Sequence, residues 1–361
     1  MPSLIQFSQN DIVPDTQKLA TSTWSNNTNN LITAHTSSEQ ADLSSATGSG
    51  AIYINVYNEA TSSDSAAVQY AIAYGHRGGS GSLNFTNDTG AKGKSATGVT
   101  YAQYRNLVYG DNTISDFKFN DYTPDDIYII NVNRSRYKHN LKPGTLNLYL
   151  TGSAKLTMQN TDGGTASMLH LTDDSVTKTG SAVLTNLGRQ FNIVSGANGE
   201  MSGSNLSQVT DSGSYGFFYP DAGIIILNPR AISHSIHVMP HHMGTDNTAA
   251  NQDNISPTGP QTLYNAVSGA KYFILDSEEK VSSQYYFVRA RNYEFNYTSN
   301  PSYIDDSGNL NFTSMVDNPK TYITTVGLYN NAGDLVAVAK TSQPIVKDFT
   351  KEALIRVKLD Y

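Results

Sequence analysis

The chain has 361 residues, more than one hydrophobic core usually supports, so its length predicts two or three domains. Hydrophobic residues make up 38% and charged residues 15% of the sequence, and both fractions lie below the roughly 45–50% and about 25% of an ordinary globular domain. The formal charge of −7 without a long basic tract argues against a nucleic-acid binder, and the lack of cysteine excludes disulfides and thiolate-bound zinc.

The N-terminal region is polar and has no periodic pattern. Its first residues, MPSLIQFSQNDIVPDTQ, contain no basic start followed by an apolar run, and no apolar stretch of about 18 residues occurs anywhere in the chain. We therefore expect neither a secretory signal nor a membrane partner. Residues 1–48 are predicted to form an extended arm that is flexible or that orders on a partner, with Trp24 as its anchor.

The central part of the chain, residues 49–258, is predicted to form a β-rich domain with inserted loops. Strands are predicted where apolar and polar residues alternate and where β-branched or aromatic residues cluster. A short helix is predicted over residues 100–112, where Gly110 ends the helical spacing. The predicted strands are Ala51–Tyr57, Ala66–Tyr74, Ile127–Asn133, Leu146–Leu150 and a hairpin of Gly216–Tyr219 with Ile224–Leu227.

Residues 259–361 are predicted to form a C-terminal antiparallel β domain. It follows a polar, histidine-rich loop from His234 to about Pro260 and a short helix over residues 261–270. Five strand candidates come next, and the last of them alternates apolar and charged residues up to Tyr361. Together these elements predict a mainly β chain of several antiparallel sheets or sandwiches with few short helices and long polar loops. The five candidates are KYFIL, QYYFVRARNYEFNY, TYITTVGLY, LVAVAK and ALIRVKLDY.

One histidine cluster is a weak candidate for a metal site. His234, His237, His241 and His242 lie within nine positions, and four imidazoles could in principle bind zinc or nickel. No HExxH motif is present, and Pro240 would break a helix that aligned them. The alternative is a loop whose histidines bond to backbone or to a neighbouring subunit, so we predict no bound metal.

No catalytic or cofactor motif is complete. Residues 90–95 resemble the end of a phosphate-binding loop, but Asp88 stands where the first glycine is required, and the glycine-rich residues 75–82 lack a dinucleotide fingerprint. No GxSxG elbow occurs, and the adjacent acidic pairs are neighbours in sequence rather than partners across a cleft. We therefore predict no enzyme, no catalytic residue and no cofactor, with a hydrolase using the histidine loop as the alternative.

The sequence contains two pairs of arginines in which the members are separated by one residue. Arg134 and Arg136 follow one predicted strand, and Arg289 and Arg291 lie within another, so each pair is expected on one face. Such faces are either solvated or salt-bridged to a neighbouring subunit. These four arginines, Trp24 and Tyr361 are the predicted interface residues.

Several long stretches resemble a family of virion structural proteins from large contractile-tailed phages. The resemblance covers most of the chain after residue 50 and includes no catalytic motif. It implies a structural subunit assembled in the host cytoplasm and located in the virion at the baseplate or the neck and tail junction. Its expected partners are further copies of itself and other virion proteins, and the alternative is a receptor- or glycan-binding tail component. The stretches are residues 56–82, 101–111, 126–152, 288–303 and 325–361.

Overall fold

The chain is mainly β, as predicted from the sequence. Strands account for 48% and helices for 16% of the residues in a computed structural model. No helix among the residues that it describes is both long and apolar enough to cross a membrane. The described residues are 4–36, 53–79, 96–110, 116–152, 168–177, 182–202, 214–236, 259–270, 272–297 and 301–361.

The described elements are mostly short strands with a few helices between them. The helices are α1 (Ala96–Tyr109), α2 (Pro229–Ile236), α3 (Gly259–Ala270) and α4 (Ser314–Asp317). The strands are β1 (Ile12–Ser22), β2 (Asn30–Leu31), β3 (Tyr53–Tyr57), β4 (Val68–His76), β5 (Asp126–Val132), β6 (Asn140–Leu141), β7 (Asn147–Thr151), β8 (Met168–Asp173), β9 (Val183–Thr185), β10 (Gly188–Ala197), β11 (Glu200–Met201), β12 (Gly216–Tyr219), β13 (Ile224–Leu227), β14 (Phe273–Ile274), β15 (Asp276–Ala290), β16 (Thr321–Tyr329), β17 (Leu335–Lys347) and β18 (Ala353–Asp360).

Contacts within the chain divide it into two compact units. The large unit comprises Leu19–Glu279, and the small unit combines Met1–Lys18 with Lys280–Tyr361. The sequence-based division into residues 1–48, 49–258 and 259–361 stays a prediction. The segment predicted as an arm contributes strand β1, which stands next to β15 in the strand order.

The large unit is built on one curled antiparallel sheet that forms a half-barrel. Its main strand order is β2-β14-β7-β8-β10-β12-β13-β5-β4-β3, with β9 and β11 added beside β10. The central strands β12, β13 and β5 carry apolar side chains on both faces, and all but one of their residues are buried. A strand that is apolar on both faces needs a cover on each of them.

Alternating side chains divide the core of the large unit into two layers. On β5, Tyr128, Ile130 and Val132 enter one layer with residues of α2 and α3. The intervening Ile127 and Ile129 enter the other layer, where α1 lies with its Tyr101 and Val108. The sheet therefore lies between helices on both faces, and its central strands β12, β13 and β5 are almost entirely buried.

A tight turn sets the register of the hairpin β12–β13. The pairing runs from Gly216 opposite Leu227 to Tyr219 opposite Ile224, as the sequence predicts. Gly223 has a φ of 70°, and a Cβ there would lie 2.7 Å from the Tyr137 hydroxyl oxygen. That hydroxyl also donates to the Ala222 carbonyl at 3.0 Å. Only glycine fits this turn, because both its backbone angle and its neighbour leave no room for a side chain.

The small unit has a hairpin and the three-stranded part of a four-stranded sheet. The fourth strand, β6, pairs with residues 277 and 278 of β15, which belong to the large unit. The order of the three strands is β1-β15-β18, and β15 pairs with β18 from Ser283 opposite Asp360 to Ala290 opposite Ala353. The hairpin β16–β17 forms a two-stranded sheet of its own. Its inner face packs on the three-stranded sheet through a small apolar cluster that includes Val326, Leu328 and Val357.

Candidate interaction surface

The hairpin β16–β17 has one covered face and one exposed face. Val326 and Leu328 are buried on the inner face, opposite Ala339 and Ala337 of the partner strand. An isolated two-stranded hairpin is marginal in water and needs a further apolar cover to be stable. The inner face has such a cover in the small apolar cluster.

The outer face of the hairpin is apolar and exposed. Tyr329, Leu335 and Val338 are 45%, 52% and 54% exposed. Gly327 lies opposite Val338, and Tyr329 lies opposite Leu335. We call these four residues the outer patch. Its side chains gather at the end of the hairpin that carries the turn.

Gly327 brings the members of the outer patch together. A Cβ at this position would lie 3.0 Å from Cε2 of Tyr329 and 3.2 Å from Cδ1 of Leu335. Both side chains therefore lean over the bare backbone of the glycine. Glycine in a strand interior weakens the strand, and these two side chains shield it. They also make the outer patch a more continuous apolar surface.

The hairpin is poor in charge although the chain is acidic. The sequence contains 31 acidic residues, yet neither β16 nor β17 includes one. Their cations are Lys340, which pairs with Thr325 in the ladder, and Lys347, whose side chain is fully buried. The core of a protein interface is likewise apolar and depleted of charge. The outer patch therefore has the character of an interface core rather than of an ordinary solvated face.

A buried lysine fixes the base of the hairpin. The ammonium Nζ of Lys347 donates to the carbonyl of Asn292 at 2.9 Å, to Oδ1 of Asn296 at 2.8 Å and to the carbonyl of Asp348 at 3.1 Å. Its three hydrogens thus have three acceptors, which is the condition for burying an ammonium group. The loop after β15 is thereby joined to the end of β17, so the hairpin has a defined position within the small unit.

Trp24, a predicted interface residue, lies inside the large unit. Its side chain is 3% exposed and contacts Tyr70 and Phe273, with ring centroids at 6.0 Å and 4.9 Å. Its indole Nε1 donates to the Phe273 carbonyl at 2.8 Å. The residue anchors its segment to the core of its own chain and offers almost no surface to another protein.

Arg134 and Arg136 also make their contacts within the large unit. Residues 134–136 form a single 3₁₀ turn rather than a strand, so the alternation expected from the sequence does not apply. The guanidinium of Arg134 lies 4.6 Å from the Tyr137 ring centroid, and Arg136 donates to the Ser25 hydroxyl.

Arg289, Arg291 and Tyr361 lie at the surface of the small unit. Arg289 pairs with Glu352 at 3.3 Å, and Arg291 donates to the Tyr293 hydroxyl at 2.8 Å. Tyr361 is 68% exposed, and its backbone N–H donates to the Ser282 carbonyl at 2.9 Å. These three residues are accessible to a partner.

The histidine candidates fall largely outside the described residues. His237, His241 and His242 lie there, and only the backbone of His234 is described, within α2. In the part of the chain that the structure describes, no three acidic or histidine side chains are grouped to hold a metal.

The outer patch was not among the residues predicted from the sequence. Its signal is present in LVAVAK, where the residues on both faces of the strand are apolar. A strand with one solvated face alternates apolar and polar residues. The absence of that alternation at Val336 and Val338 indicates a second face that requires a cover.

Comparisons with known proteins add no residue to this surface. No protein-family model, no curated protein and no solved structure matches the chain. The candidate surface is therefore defined by the geometry of the small unit: an apolar outer patch, strands without acidic residues and a buried lysine at the base of the hairpin.

Proposed function

We propose that the chain is a structural subunit of a phage virion that assembles through protein–protein contacts of its small unit. The observation that carries the assembly role is the outer patch, an exposed apolar face on a hairpin with little core beneath it. A neighbouring subunit that covered this face would add the apolar burial that the hairpin lacks.

The sequence resemblance supports a place of assembly in the virion, and the composition is compatible with an assembled subunit. Several stretches, one of which contains the outer patch, resemble structural proteins of contractile-tailed phages, which favours the baseplate or the neck and tail junction. A particle subunit draws stability from its neighbours, so a low apolar fraction and long polar loops can be tolerated. The partners proposed are other virion proteins and further copies of this chain, without a cofactor, a nucleic acid or a catalytic step.

The first test is whether the chain belongs to a particle. Phage particles purified from the source of this sequence should contain the chain by mass spectrometry. Gold-labelled antibodies against the small unit should then mark the baseplate, the neck or the tail. Particles that contain no such chain would overturn the virion role.

The second test addresses the outer patch. Val338→Glu places a charge within the outer patch, opposite Gly327, where a desolvated contact would leave the carboxylate unpaired. The variant should fail to enter particles or to bind its neighbour. Leu184→Glu is the matched control, because Leu184 is an exposed apolar strand residue of the large unit, at 79% exposure. Equal incorporation of the two variants would contradict a contact through the outer patch.

A receptor- or glycan-binding tail component is the second candidate. The loops of the small unit expose aromatic rings at Tyr293, Phe295, Tyr297 and Phe312, with 59%, 41%, 57% and 48% exposure. Exposed aromatic rings are suited to stacking on sugars or on protein surfaces. Retention of the isolated chain on host polysaccharide, lost on Tyr293→Ser and Tyr297→Ser, would favour this function over assembly alone.

A further inference from the structure

A carboxyl group is buried where β4 and β5 meet in the large unit. Asp126 is 9% exposed and lies directly opposite His76 in the ladder. Its Oδ2 accepts a hydrogen bond of 3.2 Å from the hydroxyl of Tyr74, which is 1% exposed. A backbone hydrogen bond from Asp126 itself is the second contact of this carboxyl. Neither donor carries a charge, and a buried carboxylate normally requires a cation or more donors to replace its hydration.

Among the described residues, the arginines of this region are paired with other acids. Arg77 bonds to Asp125 and, at 2.8 Å, to Asp116, and Arg105 of α1 reaches Asp116 at 3.4 Å. The neighbouring Asp125 places a second negative charge beside Asp126 and so opposes its ionisation. The local charge pattern therefore favours the neutral acid.

Helix α3 packs on the face of the sheet that carries Asp126, and it contributes no positive charge. This helix, GPQTLYNAVSGA, contains Tyr264 as its one ionisable residue. Thr262 interacts with the hydroxyl of Tyr128, the next residue on the same face of β5 as Asp126. In α2, Arg230 lies 4.8 Å from the Tyr122 ring centroid and bonds to that hydroxyl at 3.2 Å.

At the same end of β4, the face of the sheet that points away from Asp126 is closely packed. A Cβ on Gly75 would lie 2.8 Å from the backbone nitrogen of Tyr101 in α1, so this helix lies directly on β4. On that side the strand has no space into which it could shift. A charge at Asp126 would therefore be relieved by opening the strand pair rather than by a small adjustment of β4.

We propose that Asp126 is a pH-sensitive switch that keeps the His76–Asp126 end of the β4–β5 pair closed as a neutral acid and loosens it as a carboxylate. Burial raises the pKa of Asp126 to about 7, which places the change near neutral pH. The switch belongs to the large unit and does not depend on the assembly role proposed for the small unit.

Hydrogen–deuterium exchange of the full chain between pH 5.5 and 8.5, corrected for intrinsic exchange rates, tests this proposal. Protection of residues 70–76 and 126–132 should fall as the pH rises towards 7, by up to about tenfold per pH unit, which is the limit for one linked proton. Protection of the hairpin β16–β17 in the same samples should not follow this change.

Three variants separate Asp126 from its neighbours. Asp126→Asn should remove the pH dependence. His76→Gln should retain it, because this variant removes the imidazole opposite Asp126 and leaves the carboxyl group in place. Tyr74→Phe should move the midpoint to higher pH, since it removes the donor that stabilises the carboxylate. An unchanged pH dependence in Asp126→Asn, or its loss in His76→Gln with retention in Asp126→Asn, would overturn the proposal.

Discussion

The two units of the chain differ in how much of their apolar surface they bury. The large unit buries rings and branched side chains on both faces of one sheet, with Tyr70, Ile130 and Phe218 fully inaccessible. The small unit buries few side chains and exposes many large apolar ones, including Val316, Val336 and Phe349 at 67%, 66% and 60%. One unit is stabilised by its own core, whereas the other presents apolar surface that a neighbour can cover.

Removing a central side chain of the large unit should have the largest effect on the free energy of unfolding. Phe218→Ala creates a cavity within a two-sided core, and we expect it to lower the free energy of unfolding by about 3–5 kcal/mol. Trp24 is the one tryptophan of the chain and lies in the same apolar cluster. Its fluorescence during urea denaturation measures this change, and a loss below about 1 kcal/mol would contradict a tightly packed core.

Removing the charge of Asp126 should stabilise the large unit. The pKa of Asp126 is about 7 in the folded chain and about 3.9 when exposed, so the folded state binds the proton more tightly. Stability therefore falls as the pH rises from about 4 to 7 and then levels off. Asp126→Asn should raise the free energy of unfolding by about 4 kcal/mol at pH 8, because the two pKa values differ by about three units and each unit corresponds to about 1.4 kcal/mol. Urea denaturation at pH 5 and pH 8 measures the difference, and an equal effect at both would contradict the shift.

A core substitution in the small unit should have a smaller and separate effect. Leu328→Ala should cost about 2 kcal/mol, the low end for leucine, because its surroundings are partly open and can relax. Exchange of the amides of β16 and β17 should increase. The Trp24 fluorescence transition should stay unchanged, and a parallel shift of that transition would show that the two units unfold as one.

The strands that could be predicted from the sequence are those with local signals. The hairpin at residues 216–227 combines two short apolar runs with a Pro–Gly turn, and β18 alternates faces over eight residues. Both patterns are complete within about a dozen positions, so neither depends on distant contacts.

The contacts of β1 and Trp24 depend on partners that are far away in sequence. Strand β1 is mostly exposed and has no apolar alternation, so nothing in residues 12–22 indicates its place beside β15. Trp24 lies among polar residues, and its core neighbours are Tyr70 and Phe273. Polar sequence around an aromatic residue is typical both of an arm that binds a partner and of a segment that inserts one ring into its own core.

Val338→Glu should have the smallest effect on stability and the largest effect on assembly. Val338 is 54% exposed, so Val338→Glu in the isolated chain should change the free energy of unfolding by no more than about 0.5 kcal/mol. In a covered interface the same carboxylate would be buried without a partner. Amide exchange of the hairpin in the isolated chain measures the first effect, with Leu184→Glu as the control for an added surface charge. If Val338→Glu unfolds the hairpin by itself, the patch already contributes to the fold of the small unit. If the hairpin stays protected while binding to the neighbour is lost, the apolar surface of the small unit serves assembly, unlike the self-contained core of the large unit.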